Sequence, residues 1–238
     1  MRIESIPRRA GEGASAVSSG EAPAAAIALA PPALRKFSPC IPKALVIGAS
    51  TGGPQALATV LGNLAPSLSS LPVLVVLHLP ADFTRLVTGN IERVTKLPTR
   101  AARHGEPALP GVIYFAPGDM HMRVLKIGET PILCHTDAPP ENFCKSAVDV
   151  LFRSAAQTFG PGTLGLVLTG MGSDGLAGAR SIADAGGATI VQDESSSVVW
   201  GMPGSVATAG LASAILPLDR VASAIAGLLR GIVPGGVR

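Results

Sequence analysis

Short apolar runs alternate with longer segments of helical period from Lys43 onward. Runs that are apolar throughout are typical of parallel strands buried on both faces of a sheet. Strands are predicted for KALVIGA, VLVVLH, VIYFA, TLGLVLTG and ATIVQ. Helices are predicted between or after them, over residues 54–64, 83–94, 146–159, 175–185 and 218–229. The pattern predicts an α/β fold with a doubly wound, mainly parallel sheet and helices on both faces, a Rossmann-like architecture.

The middle third of the chain departs from this alternation. Between Gly111 and His135 three short runs, VIYFA, MRVLKI and ILCHT, are separated by turn residues such as Pro117-Gly118. Closely spaced runs with such turns are typical of antiparallel strands. A small antiparallel insertion in the sheet is therefore predicted here.

The N-terminal stretch is rich in Ala, Gly, Ser and Pro and has no sustained period. This composition predicts a flexible leader over residues 1–40, followed by one folded domain over 41–232 and a tail over 233–238. Arg8-Arg9 and the Ala-rich run 24–30 suggest a twin-Arg export signal as an alternative, but Glu21 and the prolines beside that run leave its apolar region too short. A cytoplasmic location is expected.

Composition and charge exclude several classes of partner. No unbroken apolar run approaches the about 20 residues that cross a bilayer, so membrane insertion is not expected. The net charge of +3 comes from scattered Lys and Arg, and only 3% of residues are aromatic, which argues against nucleic-acid binding. The three cysteines, Cys40, Cys134 and Cys144, show no Cys-x-x-Cys spacing, which argues against a zinc site or disulfide framework and fits a reducing compartment.

Polar residues at the carboxyl ends of the predicted strands are the candidates for chemistry, because open parallel sheets bind ligands there. Ser50 closes ALVIGAS, His78 closes VLVVLH, and Asp174 follows LVLTGMGS. The stretch VIGASTGG around Ser50 fits both a G-x-S-x-G turn that exposes a nucleophile and a phosphate-binding turn. A serine at this position also caps helices, so these interpretations remain open on this stretch alone.

The three residues together could form a catalytic triad. A serine hydroxyl needs a base, and His78 is the best placed of the four histidines because its strand should neighbour that of Ser50. Asp174 could orient the imidazole, and the glycines around it could offer backbone N–H groups to an oxyanion. The alternatives are a structural histidine at a strand end and an N-cap aspartate. The order Ser, His, Asp differs from that of the α/β-hydrolases.

Over residues 43–229 the chain resembles the catalytic domain of the chemotaxis protein-glutamate methylesterases, the CheB family. The resemblance rests on seven separated motifs in the expected order: IGASTGGPQAL, HLPADFT, GVIYFAPGDMHM, VDVLFRSAA, LTGMGSDG, GGATIVQDESSSVVWGMPGSVA and ILPLDRVA. One such motif would be weak, whereas the ordered set is specific.

The resemblance implies a serine hydrolase that demethylates receptor glutamate γ-esters and, in many relatives, also deamidates receptor glutamines. It implies Ser50 as nucleophile, His78 as general base and acid, and Asp174 as the residue that orients His78. The backbone N–H of Met171 matches the oxyanion donor, and further pocket positions are Thr51, Gly172 and Met202. The resemblance implies no metal or organic cofactor, and a methyl-accepting chemoreceptor as the protein substrate.

The chain departs from the family pattern in two places. Around the histidine, Leu77 and Leu79 stand where Gln and Met are usual. Lys145-Ser146-Ala147 stands where Arg-Pro-Ser is usual, which implies altered contacts to a receptor. Typical members also carry an N-terminal receiver domain, and the leader is too short to fold into one. The esterase is therefore expected to work unregulated or with a separate receiver protein, unless the leader is the remnant of a fusion.

Two other functions are compatible with parts of the sequence. The altered 145–147 segment suggests a non-catalytic docking or regulatory module of a chemosensory system. A nucleotide-binding Rossmann domain could use GASTGG for pyrophosphate, but the chain lacks G-x-G-x-x-G after the first strand and ends the next apolar run with His78 where an acidic residue is expected.

Overall fold

The computed structural model describes residues 32–233, apart from the side chains of residues 81 and 82. This part of the chain contains nine strands: Ala44–Ala49 (β1), Val73–Leu77 (β2), Thr99–Ala101 (β3), Ile113–Phe115 (β4), His121–Ile127 (β5), Thr130–Thr136 (β6), Thr163–Val167 (β7), Ala188–Gln192 (β8) and Ala214–Leu216 (β9). Seven of them form one sheet in the order β3-β4-β2-β1-β7-β8-β9, and all neighbours are parallel. The predicted fold class is confirmed.

Six α-helices lie between or after these strands in the described residues: Gly53–Leu64 (α1), Ala81–Thr95 (α2), Val148–Phe159 (α3), Leu176–Asp184 (α4), Gly201–Thr208 (α5) and Leu218–Leu229 (α6). They cover both faces of the sheet. Successive side chains of a strand point to opposite faces, so each strand contributes to two cores. Leu45 and Ile47 of β1 therefore pack into the core that includes α1 and α6, whereas Val46 between them packs into the core under α3 and α4. This burial on both faces explains why β1 reads as an unbroken apolar run.

The antiparallel part of the structure is smaller than the sequence predicts. VIYFA contributes β4 to the parallel sheet, and among the nine described strands only β5 and β6 pair antiparallel, as a separate ribbon. The ribbon lies on α3, whose Ser154 Oγ accepts the Val124 N–H at 3.1 Å and whose Thr158 hydroxyl donates to the Val124 carbonyl at 2.9 Å. These bonds cover backbone groups at the free edge of β5 that would otherwise need another strand or water.

The predicted leader is described only from Pro32 on, and the predicted tail only at Val233. Residues 32–40 contain no helix or strand, but Leu34 and Phe37 pack against the two cores. The Arg35 N–H donates to the Ala212 carbonyl at 2.8 Å. Among the described residues, no helix is long and apolar enough to cross a membrane.

The close approach of α3 and α4 depends on Gly178, which leads to a first prediction. A Cβ at Gly178 would overlap Phe152 Cβ and lie 3.2 Å from Asp149 Oδ1. Gly178→Ala should therefore lower the free energy of unfolding by about 1–3 kcal/mol, measured by urea denaturation. The control is Gly89→Ala in α2, where a Cβ meets no atom within 4 Å and the change should leave stability equal or raised. An unchanged Gly178→Ala variant would contradict the observed helix contact.

Candidate active site

Ser50 and His78 lie at the carboxyl ends of adjacent strands. The register pairs Ala49 with Leu77, and the His78 N–H donates to the Ala49 carbonyl at 3.0 Å. On the other side, the Ser50 N–H donates to the carbonyl of Thr169, which follows β7, also at 3.0 Å. Ser50 is therefore held between the end of β2 and the segment that carries Asp174.

Two glycines provide the space for the Ser50 turn. Gly52 precedes α1 with a φ of +79°, and a Cβ there would lie 2.6 Å from Val198 Cγ2. A Cβ at Gly170 would lie 2.8 Å from Ser50 Cβ and would overlap Met202 Sδ. A side chain at Gly170 would thus displace Ser50, so these glycines serve close packing around a strand-to-helix turn.

Asp174 binds His78 directly. The carboxylate is 2% exposed, and its Oδ2 lies 2.8 Å from His78 Nε2. Three other donors bond to it: the backbone N–H of Val148 at 2.7 Å, that of Asp149 at 3.0 Å, and the Asn142 side-chain amide at 3.2 Å. Burial alone would raise the pKa of Asp174, but the hydrogen bonds from His78, Val148 and Asp149 outweigh it and hold the pKa below its usual value.

An ionised Asp174 fixes the roles of the two ring nitrogens of His78. Nε2 carries the proton that Asp174 accepts, and Nδ1 is left with its lone pair. Nδ1 lies 3.6 Å from Cys144 Sγ. Between residues 32 and 233 no hydrogen bond joins the Ser50 hydroxyl to His78. The structure thus joins His78 to Asp174 and places Ser50 beside them.

Asp174 does not cap the helix that follows it. The N-cap of α4 is Gly175, without a side-chain cap. The N–H groups of Gly175 and Gly178 bond instead to Asp149 Oδ1, at 3.0 and 2.6 Å. Asp174 in turn accepts the first two N–H groups of α3. Asp149 of α3 therefore caps α4, and Asp174, in the segment just before α4, caps α3; these two carboxylates are named the reciprocal caps.

Asp149 and Asn142 belong to the site although the sequence analysis did not select them. Burial, opposed by its bond from Gly178, raises the pKa of Asp149, and the nearby charge of Asp174 adds to the increase. The Asn142 amide lies between the two carboxylates and donates to Asp149 Oδ2 at 2.9 Å as well as to Asp174. The signal that could have found Asp149 is its position as a charged residue among the apolar residues of VDVLF.

The four predicted pocket residues differ in their surroundings. Met202 is fully buried, and its N–H donates to the Gly170 carbonyl at 2.8 Å, so its side chain packs beneath Gly170 near Ser50. Met171 is 70% exposed, and Gly172 has a φ of +88° with open space around it. The Thr51 side chain is exposed, and its carbonyl accepts the Thr169 hydroxyl at 2.9 Å.

The departing segment 145–147 is tied into the fold. Lys145 pairs with Asp137, the Ser146 hydroxyl accepts the Met122 N–H at 3.3 Å, and the Ala147 N–H donates to His121 Nδ1 at 3.1 Å. The other nitrogen of the fully buried His121 bonds to the Pro139 carbonyl at 3.0 Å. His121 therefore has a structural role.

The family model described as CheB methylesterase matches residues 45–225. The chain belongs to the CheB methylesterase family. The predicted family is thus confirmed on a match that includes Ser50, His78 and Asp174. Their catalytic roles, and those of the pocket residues, stay predictions.

Several relatives and one solved structure support the assignment. The chain is 48% identical over 197 residues to the protein-glutamate methylesterase/protein-glutamine glutaminase of group 2 operon of Rhodopseudomonas palustris, covering 83% of this chain and 50% of that protein. It is 50% identical over 194 residues to protein-glutamate methylesterase/protein-glutamine glutaminase 1 of Rhodospirillum rubrum, covering 81% and 50%. The chain thus spans about half the length of these curated relatives. The crystal structure of the Thermotoga maritima CheB methylesterase catalytic domain matches with a TM-score of 0.76 and 34% identity, covering 79% of this chain and 98% of that one.

The position of Asn142 between two carboxylates gives a second prediction. Asn142→Asp would replace the shared donor with a third negative charge against Asp149 and Asp174, so we expect a loss of about 1–3 kcal/mol in the free energy of unfolding at pH 7. Asn90→Asp is the matched control, because Asn90 Oδ1 accepts a bond from Arg93 at 2.8 Å and an added charge there is favourable. Equal stability of the two variants would refute the bridging role of Asn142.

Proposed function

We propose that this chain is a serine hydrolase that demethylates glutamate 5-O-methyl esters on methyl-accepting chemoreceptors. The observation that carries the proposal is the bond between buried Asp174 and His78 beside the strand end that holds Ser50, in a chain of the CheB family. The printed names of the relatives give the same activity for those proteins.

The proposed reaction is acyl transfer through Ser50. The hydroxyl attacks the ester carbonyl while its proton passes to His78 Nδ1, the nitrogen that Asp174 leaves free. The resulting imidazolium is stabilised through its Nε2–H by the Asp174 carboxylate. His78 then returns the proton to the departing methoxide, which leaves as methanol, and a water hydrolyses the acyl-enzyme in the reverse sequence.

Backbone amides would stabilise the tetrahedral intermediate. The family resemblance assigns the Met171 N–H to this role, and the open space at Gly172 leaves room for the ester beside it. In the described part of the chain the Ser50 hydroxyl makes no hydrogen bond to His78 Nδ1. It must therefore approach Nδ1 before the attack. Such bonds commonly tighten only when the substrate is bound.

A protein substrate is supported by the surface near the site. Phe143 is fully exposed next to Cys144, Met171 is 70% exposed next to Gly170, and Val198, which packs near Gly52, is 70% exposed. Large apolar side chains at a protein surface favour association with another protein. A methylated glutamate is uncharged, so an apolar rim suits it better than a cationic one.

The name protein-glutamine glutaminase in the relatives supports a second reaction at the same site. A glutamine side-chain amide would form the same acyl-enzyme, with ammonia in place of methanol as the leaving group.

The proposal also includes a separate receiver-domain protein as regulator and a cytoplasmic location. The location is supported by the free thiols of Cys40, Cys134 and Cys144.

Release of methanol from a methylated receptor fragment tests the proposed function. The wild-type chain should release methanol, and an unmethylated fragment should yield none. A folded protein that binds the fragment without releasing methanol would support the docking-module alternative and would overturn the proposed hydrolase.

A further inference from the structure

Cys144 lies against the nitrogen of His78 that the proposed reaction uses. Cys144 Sγ, a His78 ring nitrogen and an Asp174 carboxylate oxygen lie within 4.8 Å of one another. The proposed reaction does not need the thiol, which is half-buried beside the catalytic pair.

The spacing of sulfur and nitrogen suits a shared metal ion. A tetrahedral Zn²⁺ with about 2.3 Å to sulfur and about 2.05 Å to nitrogen holds these ligand atoms about 3.6 Å apart. The separation of Cys144 Sγ from His78 Nδ1 is 3.6 Å. The sulfur and the nitrogen are therefore already at the separation that two ligands of one Zn²⁺ ion require.

Asp174 completes the arrangement as an outer partner. Its two oxygens already accept the four N–H donors described above, so it is not counted as a ligand. A histidine that binds a metal through one nitrogen commonly donates the other N–H to a carboxylate, which fixes the ring and its tautomer. The bond from His78 Nε2 to Asp174 has this form and leaves the Nδ1 lone pair facing Cys144 Sγ.

We propose that His78 Nδ1 and Cys144 Sγ bind a thiophilic divalent cation, with Zn²⁺ as the ion that fits, and that the bound ion inhibits the hydrolase. On binding, the Cys144 S–H bond breaks, its proton passes to the buffer, and a sulfur–metal bond forms without any change of oxidation state. Water fills the remaining positions, so binding is reversible. The inhibitory half rests on the proposed function, because the ion occupies the nitrogen that would accept the Ser50 proton.

Cys-x-x-Cys spacing could not show this site. The two ligands are 66 residues apart in the chain and meet because β2 and the segment before α3 end at the same edge of the sheet. Zinc binding here would not require the Cys-x-x-Cys spacing that the chain lacks.

Titration with Co²⁺ tests the binding directly, because thiolate coordination to Co²⁺ gives a charge-transfer absorption in the near ultraviolet. The wild-type chain should show the band at one Co²⁺ per chain, and Zn²⁺ should displace it. Cys144→Ser and Cys144→Ala should each lose the band or bind at least about 10-fold more weakly. Cys134→Ser is the matched control, since it removes a half-buried thiol elsewhere, and should keep the band. A wild type without the band, or folded Cys144 variants that retain it, would overturn the proposal.

Inhibition is measured separately by methanol release with and without Zn²⁺, each variant being compared with itself. Zn²⁺ should inhibit the wild type reversibly, and Cys144→Ser should need at least about 10-fold more Zn²⁺ for the same inhibition. A Co²⁺ band without any methanol release would leave the metal site intact and overturn the proposed hydrolase. Methanol release that Zn²⁺ does not affect, in a chain that shows the band, would overturn the inhibitory half.

Discussion

Ser50→Ala is expected to lower the rate of methanol release from a methylated receptor by about 10³-fold or more. The substitution removes the attacking oxygen and leaves the Asp174 to His78 bond unchanged. The fold should persist, because Ser50 is held by its backbone N–H, which bonds to Thr169, and this bond does not involve the hydroxyl. Thermal unfolding should therefore differ little from that of the wild type while the activity is lost.

Ser181→Ala is the control for this experiment. Ser181 is on α4, and its hydroxyl donates to the Ala177 carbonyl one turn earlier at 3.1 Å, a local bond at the surface. This variant should release methanol at the wild-type rate. If Ser50→Ala retained more than about a tenth of the wild-type rate, Ser50 would not be the nucleophile.

Asp174→Asn is expected to reduce both activity and stability. The amide matches the carboxylate in size but carries only one acceptor oxygen, so donors now bonded to the other oxygen would face an NH₂ group. Loss of the His78 partner should lower the rate by about 10⁴-fold. Unsatisfied buried donors at the start of α3 should cost about 2–4 kcal/mol in the free energy of unfolding, measured by urea denaturation at pH 7.

The stability difference should depend on pH. Since the folded pKa of Asp174 lies below its unfolded value, the carboxylate contributes stability above the unfolded value of about 4, and this contribution is lost as the pH falls through the folded pKa. The difference in the free energy of unfolding between the wild type and Asp174→Asn should therefore become smaller in acid. Asp184→Asn, at the exposed end of α4, should lower neither the rate of methanol release nor the free energy of unfolding. A difference in unfolding free energy that grew below about pH 4 would contradict the lowered pKa of Asp174.

Strands buried on both faces were the part of the fold that sequence could predict. The five predicted strand segments each contain a strand of the parallel sheet. A short apolar run between turns is typical of a strand buried on both faces. The short strands β3 and β9 and the helix α5 were not predicted. Three-residue strands have too few positions for a period, and α5 contains two glycines and a proline that argue against a helix.

The site could be predicted only where it follows strand ends. Ser50 and His78 were found because parallel strands bring their carboxyl ends together. Asn142 and Cys144 lie in an irregular segment before α3 that has no period to interpret. Asn142 bonds to Asp174, 32 positions away, as well as to the nearby Asp149, and Cys144 contacts His78, 66 positions away. Such contacts depend on how this segment packs against the ends of the strands and helices, which local sequence does not specify.

The reciprocal caps also bear on the order in which the protein folds. The N-termini of α3 and α4 each remain incomplete until the other helix has docked, because their capping carboxylates are exchanged between them. Docking of these helices and the fixing of His78 by Asp174 should therefore occur in one cooperative step. An intermediate in which α3 has formed without α4 would lack an oriented imidazole, so the proposed activity should appear only once these two helices have docked.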